Sequence, residues 1–269
     1  VLVLDRTNWK FGSKDINILM LGVSYKNVAF PLMFKMLDKR GNSDTEERID
    51  LIKKYIEWFG KQSINCLLAD REFVGGKWLE FLNNENIRYY IRIRNNFKIY
   101  SYQKQTEIKA FWLFNNLKVN EFYHYPKIVE LHEQRCYLSG SKTIDRDGNV
   151  EFLIMVSFNK PEQAMAYYKK RWQIESLFRG LKSSGFNIED THVTDLERLE
   201  KIFSLTMIAF VWCYKIGDYL DENIKKIIIK QHGRRAVSVF KYGLDYLSKF
   251  LLTGFKSLEN NLFCFLSCT

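Results

Sequence analysis

Two aspartates stand where folding has little use for them and chemistry has much. Asp5 follows Val1-Leu2-Val3-Leu4, and Asp70 follows Asn65-Cys66-Leu67-Leu68-Ala69. Short runs of this kind read as strands buried on both faces, so each Asp falls at a strand's C-terminal end. Open α/β sheets bind their ligands at those ends. Two carboxylates brought together there repel one another unless a divalent cation lies between them. Hard oxygen donors suit Mg²⁺ or Mn²⁺. The plainer alternative is that each Asp caps its own turn.

A second set lies downstream: Tyr168, Arg171, Glu175 and Lys182. On a continuous α-helix their offsets fall in one arc of about 60°. A solvated face would also be polar, although it would more often mix small and acidic residues. The chemical reading gives Glu175 to the metal and Arg171 and Lys182 to phosphates beside the scissile bond. Tyr168 then donates its hydroxyl to a phosphate oxygen or stacks on a base.

The elements that must position these groups are legible in part. Ile16–Ser24 and Val28–Met36 are apolar runs joined by Tyr25-Lys26-Asn27, which predicts a hairpin. Ser43-Asp44-Thr45-Glu46 reads as a capping box before a helix stopped by Gly60. Ile64–Ala69 predicts a strand, residues 74–86 a helix with Trp78, Leu79 and Leu82 inward, and Ile87–Ile93 another strand. Strands alternating with helices argue for a mixed α/β sheet. Residues 97–158 read as a β-rich stretch, with Asp147-Gly148-Asn149 as a hairpin turn. A helix is expected from Asn159 and Pro161 to about Ser184, a second over roughly 195–220, and mixed helix after that.

Composition limits the partners. The 269 residues carry 41 Lys plus Arg against 31 Asp plus Glu, a net charge of +10 that favours an anionic partner, nucleic acid before membrane. With 21 Phe, 15 Tyr and 6 Trp the chain is not disordered. The longest apolar run, Ile202–Ile216, is shorter than a span of about 20 residues and predicts a core helix. Cys66, Cys136, Cys213, Cys264 and Cys268 form no CxxC pair, and no His lies at zinc-ligand spacing, so free thiols in a reducing cytosol are expected. Val1–Leu4 meets Asp5 with no basic segment before it, unlike a signal peptide.

The spacing Tyr168-x2-Arg171-x3-Glu175-x6-Lys182 resembles the Y-R-E-K signature of the cut-and-paste insertion-sequence transposases of the IS-four group. Leu4-Asp5-Arg6-Thr7 and Ala69-Asp70-Arg71-Glu72-Phe73 resemble that family's first and second catalytic Asp motifs, and the likeness covers roughly residues 1–215. The resemblance implies an α/β, RNase H-like mixed sheet flanked by helices. Residues 1–96 and 159–220 would form the core, 97–158 a β-rich insertion before the third carboxylate, and 221–269 a helical C-terminal region. It implies a catalytic and metal-binding triad of Asp5, Asp70 and Glu175, a two-metal site for Mg²⁺ or Mn²⁺, and DNA contacts from Tyr168, Arg171 and Lys182. DNA, as transposon ends and target, is the implied partner, bound by a homodimer in the bacterial cytoplasm at the nucleoid, with no membrane. Family members carry an end-reading N-terminal domain, and the chain is expected to be truncated there. A nuclease or resolvase on the same fold would share the carboxylates without strand transfer, and an inactive remnant would only bind DNA.

Other features carry less. Glu72, two residues after Asp70, competes as a metal ligand, but it reads as a helix start or a supporting group near the site because the family motif gives that role to Asp70. Gly75-Gly76-Lys77 lacks the GxxxxGK[ST] pattern of a phosphate loop and reads as a helix opening. Trp112, between Phe111 and Phe114, is expected to pack inward rather than stack on a base. Lys225-Lys226 and Arg234-Arg235 read as a solvated face, and His192 as structural.

Overall fold

Three strands open the chain: β1 (Leu2–Phe11), β2 (Lys14–Tyr25) and β3 (Val28–Leu37). The expected hairpin joins β2 to β3 through Lys26 and Asn27, at φ 44° and 66°, the two positive φ values of a type I′ turn. The computed structural model describes residues 1–11, 14–39, 41–145, 147–183, 185–253 and 265.

Helix α1 (Thr45–Phe59) starts from a capping box one residue later than expected. Asp44 accepts from the Glu47 N–H, and the Glu47 carboxylate accepts from the Asp44 N–H. Ser43 is unavailable for that role, because its hydroxyl and carbonyl oxygens both accept from the buried Arg48 guanidinium. Gly60, at φ 75°, closes the helix. Strand β4 (Leu67–Ala69) is shorter than the Ile64–Ala69 expected. Helix α2 (Gly76–Asn84) opens at Gly75 and buries Trp78, Leu79 and Leu82, and β5 (Tyr89–Ile93) follows.

Strands β1, β4 and β5 are parallel neighbours, with Leu4 opposite Ala69 and Ala69 opposite Ile91. The period of two then sorts their side chains. Leu2, Leu4, Leu67, Ala69, Tyr89 and Ile91 enter the core shared with α1 and α2. Val3, Leu68 and Tyr90 face the other way, and Tyr90 stacks on Tyr167 at 5.5 Å.

The following stretch is β-rich as expected: β6 (Lys98–Ser101), β7 (Thr106–Lys109), β8 (Phe122–His124), β9 (Val129–Leu131), β10 (Gln134–Ile144) and β11 (Val150–Ser157). The sheet order is β3-β2-β1-β4-β5-β11-β10-β9-β6-β7, with β8 on β10. Because β11 pairs antiparallel with β5, the central sheet continues without a break into β11 and β10. The result is α/β, a mixed sheet flanked by helices, consistent with an RNase H-like fold.

The helix expected from Pro161 to Ser184 is broken. It resolves into α3 (Ala164–Tyr168) and α4 (Gln173–Lys182), with 3₁₀ turns at Pro161–Gln163 and Lys169–Trp172. Ser184 lies outside the described residues. The chain divides into two compact units, Val1–Asn8 with Asn17–Ile174, and Trp9–Ile16 with Glu175–Thr269. The second contains α5 (Leu196–Asn223) and α6 (Val239–Thr253), which meet at Gly217 and Gly243. A Cβ on either glycine would overlap backbone of the facing helix, Val239 in one case and Cys213 in the other. The run Ile202–Ile216 is helical but buries only one side, leaving Leu205 and Ile208 exposed. Of the mixed helix expected after about residue 220, the part beyond residue 253, with Cys264 and Cys268, falls outside the described residues except for residue 265.

Candidate active site

Asp5 lies on the face of the sheet opposite α1 and α2, because Val3 and Asp5 alternate with Leu2 and Leu4. Asp70 lies beside it, one residue beyond the Leu4–Ala69 pair. Asp5 is not at the end of its strand, as expected, but inside it. The parallel ladder with β4 stops at Leu4, while β1 runs on to Phe11 beside β2. Asp5 is therefore terminal on one edge of β1 only.

The segment 161–174 covers this face and brings two of the expected DNA-contacting residues to the two aspartates. The Arg171 guanidinium donates to the Asp5 carboxylate at 3.2 Å, with both side chains largely buried. The Tyr168 hydroxyl donates to Asp70 at a long 3.4 Å. In a 3₁₀ turn residues three apart eclipse one another, and Arg171 sits over the Tyr168 ring at 5.9 Å. The helical arc assumed from spacing thus fails for this pair, yet the two still act on one face.

Burial dominates the electrostatics. It pushes the Asp5 carboxyl up to about 7, against the lowering effect of the Arg6 N–H and of Arg171, while Glu72 and Asp70 add smaller increases. The repulsion expected between the two aspartates is the weakest of the named causes. Desolvation likewise raises the Tyr168 hydroxyl pKa, so it stays protonated and able to donate.

Reading the motifs alone missed a clamp beneath this pair. Arg6, next to Asp5, donates to both oxygens of Glu72, two residues after Asp70, at 3.0 Å each. Arg6 also donates to Asn17 at 2.9 Å and to Asn42 at 3.2 Å. A bidentate fork fixes distance and angle together, so it ties the end of β4 to β1. The signal available in the sequence was Arg6 directly after one Asp and Glu72 two residues after the other. The supporting role expected for Glu72 takes this form.

Glu175 and Lys182 belong to the second unit, where Lys182 pairs with Glu189 at 3.2 Å. Among the described residues no three His, Cys, Asp or Glu gather closely enough to hold a metal ion. The first unit nevertheless places the carboxylates of Asp5 and Asp70 on one face, hard oxygen donors of the chemistry a divalent cation takes, with Asp5 paired to Arg171.

Trp112 corrects another expectation: it is 55% exposed, stacked on Phe111 at 5.0 Å, while Phe114 beside it is fully buried. Cys66, Cys136 and Cys213 are free and buried, with thiols pushed up to about 11, 12 and 11 by desolvation, so none is a nucleophile. Lys225, Lys226, Arg234 and Arg235 are exposed as expected, with Arg235 paired to Asp221 at 3.0 Å. His192 is exposed at the end of a 3₁₀ turn.

Two acidic residues thus share one face, Asp5 within β1 and Asp70 directly after β4. A family model described as Transposase DDE domain matches residues 1–212. The chain belongs to the transposase DDE domain family. No curated protein matches it. Membership supports a transposase function in general and makes DNA the substrate; DDE transposases typically use divalent metal ions. Among the described residues of this DDE domain, no helix is long and apolar enough to cross a membrane.

Proposed function

We propose that the chain is the catalytic portion of a cut-and-paste transposase, which hydrolyses a DNA phosphodiester at a transposon end and directs the freed 3′-hydroxyl at a second phosphodiester. The observation that carries this reading is Asp5 beside Asp70 on adjoining parallel strands, with Arg171 and Tyr168 donating to them. Residues 1–96 and 159–220 act as the core, 97–158 as the insertion and 221–269 as a helical appendage.

Asp5, Asp70 and Glu175 would hold two Mg²⁺ or Mn²⁺ ions. Bound there, the metal ions supply Lewis-acid activation of the attacking oxygen and stabilisation of the leaving one. The protein's own groups position and neutralise. Arg171 and Lys182 bind non-bridging phosphate oxygens beside the scissile bond. Tyr168, kept protonated by burial, donates to another phosphate oxygen. The Arg6–Glu72 fork holds β1 and β4 in register while these groups act. Two copies of the chain on paired DNA ends complete the working assembly, at the nucleoid of a bacterial cell.

The test is a strand-transfer assay with pre-cut ends and target DNA, run beside cleavage of uncut ends. Cleavage and joining are expected with Mg²⁺ or Mn²⁺ and neither with EDTA, while DNA retention persists in EDTA. Cleavage without joining makes the chain a nuclease or resolvase, and retention without either makes it an inactive remnant. Undiminished cleavage in chelator overturns the metal assignment.

A further inference from the structure

The row that holds the two aspartates continues across the sheet. Ala69 is opposite Ile91 on β5, so Arg92 stands beside Asp70 one residue further on, as Asp70 stands beside Asp5. By the period of two, Arg94 follows Arg92 on the same side. Arg71, the residue after Asp70, joins them, and the three arginines line one cleft of about 390 Å³. Its remaining lining comes from Ile93, Asn95 and Asn96 around the end of β5, and from the β10–β11 turn and the start of β11. The cleft lies wholly within the first unit.

These arginines are not consumed by the fold. Arg71 and Arg94 are exposed and Arg92 is half-buried. None of the three forms an ion pair with a described carboxylate. Two acids also line the cleft, Asp145 and Glu151. Asp145 is spent on its own turn: it accepts from the Asp147 and Asn149 N–H groups at 2.9 and 2.8 Å and from the Asn149 side-chain amide at 3.1 Å. Three cations therefore face two carboxylates, and of these Asp145 has its oxygens engaged within its own turn.

Cations grouped this way beside a phosphodiester-cleaving site select a polyanion. Arg92 lies in β5 and Arg94 one residue past its end; two residues of strand span about 6.6 Å, which is comparable with the step from one phosphate to the next along a DNA strand. We propose that this cleft binds the sugar–phosphate backbone of the DNA strand that adjoins Asp70, with Arg92 and Arg94 on successive phosphates and Arg71 nearest the scissile one. The identity of the ligand as DNA rests on the transposase reading; the cleft by itself specifies only a chain of phosphates.

The experiment is fluorescence anisotropy of a labelled random-sequence duplex, titrated in EDTA at several salt concentrations. Wild type is compared with Arg92→Ala, Arg94→Ala, the double variant, Arg94→Lys, and Lys53→Ala on the far face of α1. Each Arg→Ala change should weaken binding several-fold and reduce the slope of log K against log salt by about 0.9, and the double variant by about twice that. Arg94→Lys should keep the wild-type slope, and Lys53→Ala should leave both quantities unchanged. Arg94 is exposed, so its variants report on binding even if Arg92→Ala melts early.

Wild-type affinity and slope in Arg94→Ala and in a folded double variant overturn the proposal. If that happens while wild type still cleaves and joins ends, the cleft assignment fails and the transposase reading stands. If the slopes fall as expected but wild type never cleaves, the cleft stands and the transposase reading fails.

Discussion

At the scale of single residues, the Asp5 carboxyl is the most revealing group. Its pKa in the folded chain is about 7 against an ordinary 3.8, so the metal-free folded state holds a proton that the unfolded chain has lost. Stability should therefore fall as pH rises from about 4 to about 7 and level off above. Asp5→Asn removes that dependence, and its amide oxygen still accepts from Arg171. In EDTA at pH 8 the variant should be more stable by at least about 1 kcal/mol, since one pKa unit is worth about 1.4 kcal/mol. On the proposed metal site the gain should vanish in Mg²⁺, because the Asn variant has lost a ligand. Thermal melts across pH decide this, and an Asn variant that is less stable in EDTA at pH 8 would mean that the pairing of Asp5 with Arg171 outweighs the cost of burying its charge. Glu72 makes the opposite prediction. Its pair with Arg6 is largely buried, with side chains 12% and 22% exposed, so Glu72→Ala should destabilise by roughly 2 kcal/mol at any metal concentration. A double-mutant cycle with Arg6→Ala tests whether that loss belongs to the pair.

At the scale of elements, the packing of α5 on α6 depends on two missing side chains. Gly217 and Gly243 let the helices approach so closely that a methyl group at either position meets backbone, which cannot swing aside as a side chain can. Gly243→Ala should accordingly cost about 1–3 kcal/mol, the usual range for overpacking, despite alanine's better helix propensity. Chemical denaturation measures it, and a neutral or stabilising effect would mean that α6 shifts freely along α5. The aromatic contact of Phe210 on Phe240 at 4.6 Å beside this crossing should be lost with it.

At the scale of the whole molecule, charge and site combine. A net charge of +10 and several arginines and lysines outside ion pairs predict DNA binding with a steep salt dependence and little sequence preference, since phosphate contacts carry no sequence information. Arg171→Ala and Lys182→Ala should each lower the salt slope by about one, whereas Glu175→Gln should leave binding nearly intact and abolish cleavage. Salt titrations and a cleavage assay on the same three variants separate the roles. Identical behaviour of all three would make that set structural.

The order of strands and helices, the β2–β3 hairpin, the inward face of α2 and both aspartates were legible in the sequence. These rest on local causes: period-two burial, a turn that tolerates positive φ, and acids placed after apolar runs. The family signature was legible too, since it is a matter of spacing. Other features depended on neighbours distant in sequence. Asp44 rather than Ser43 caps α1 because Arg48 occupies Ser43. The helix carrying Tyr168 and Arg171 winds tighter midway, which no periodicity announces. Parallel register alone set Arg92 beside Asp70, and the Arg6–Glu72 fork joins residues 66 positions apart. Desolvation, the main cause of the raised Asp5 pKa, exists only once β1, β4 and the segment over them have closed together. Burial and pairing are properties of the packed chain, and a linear pattern can nominate the groups without stating their surroundings.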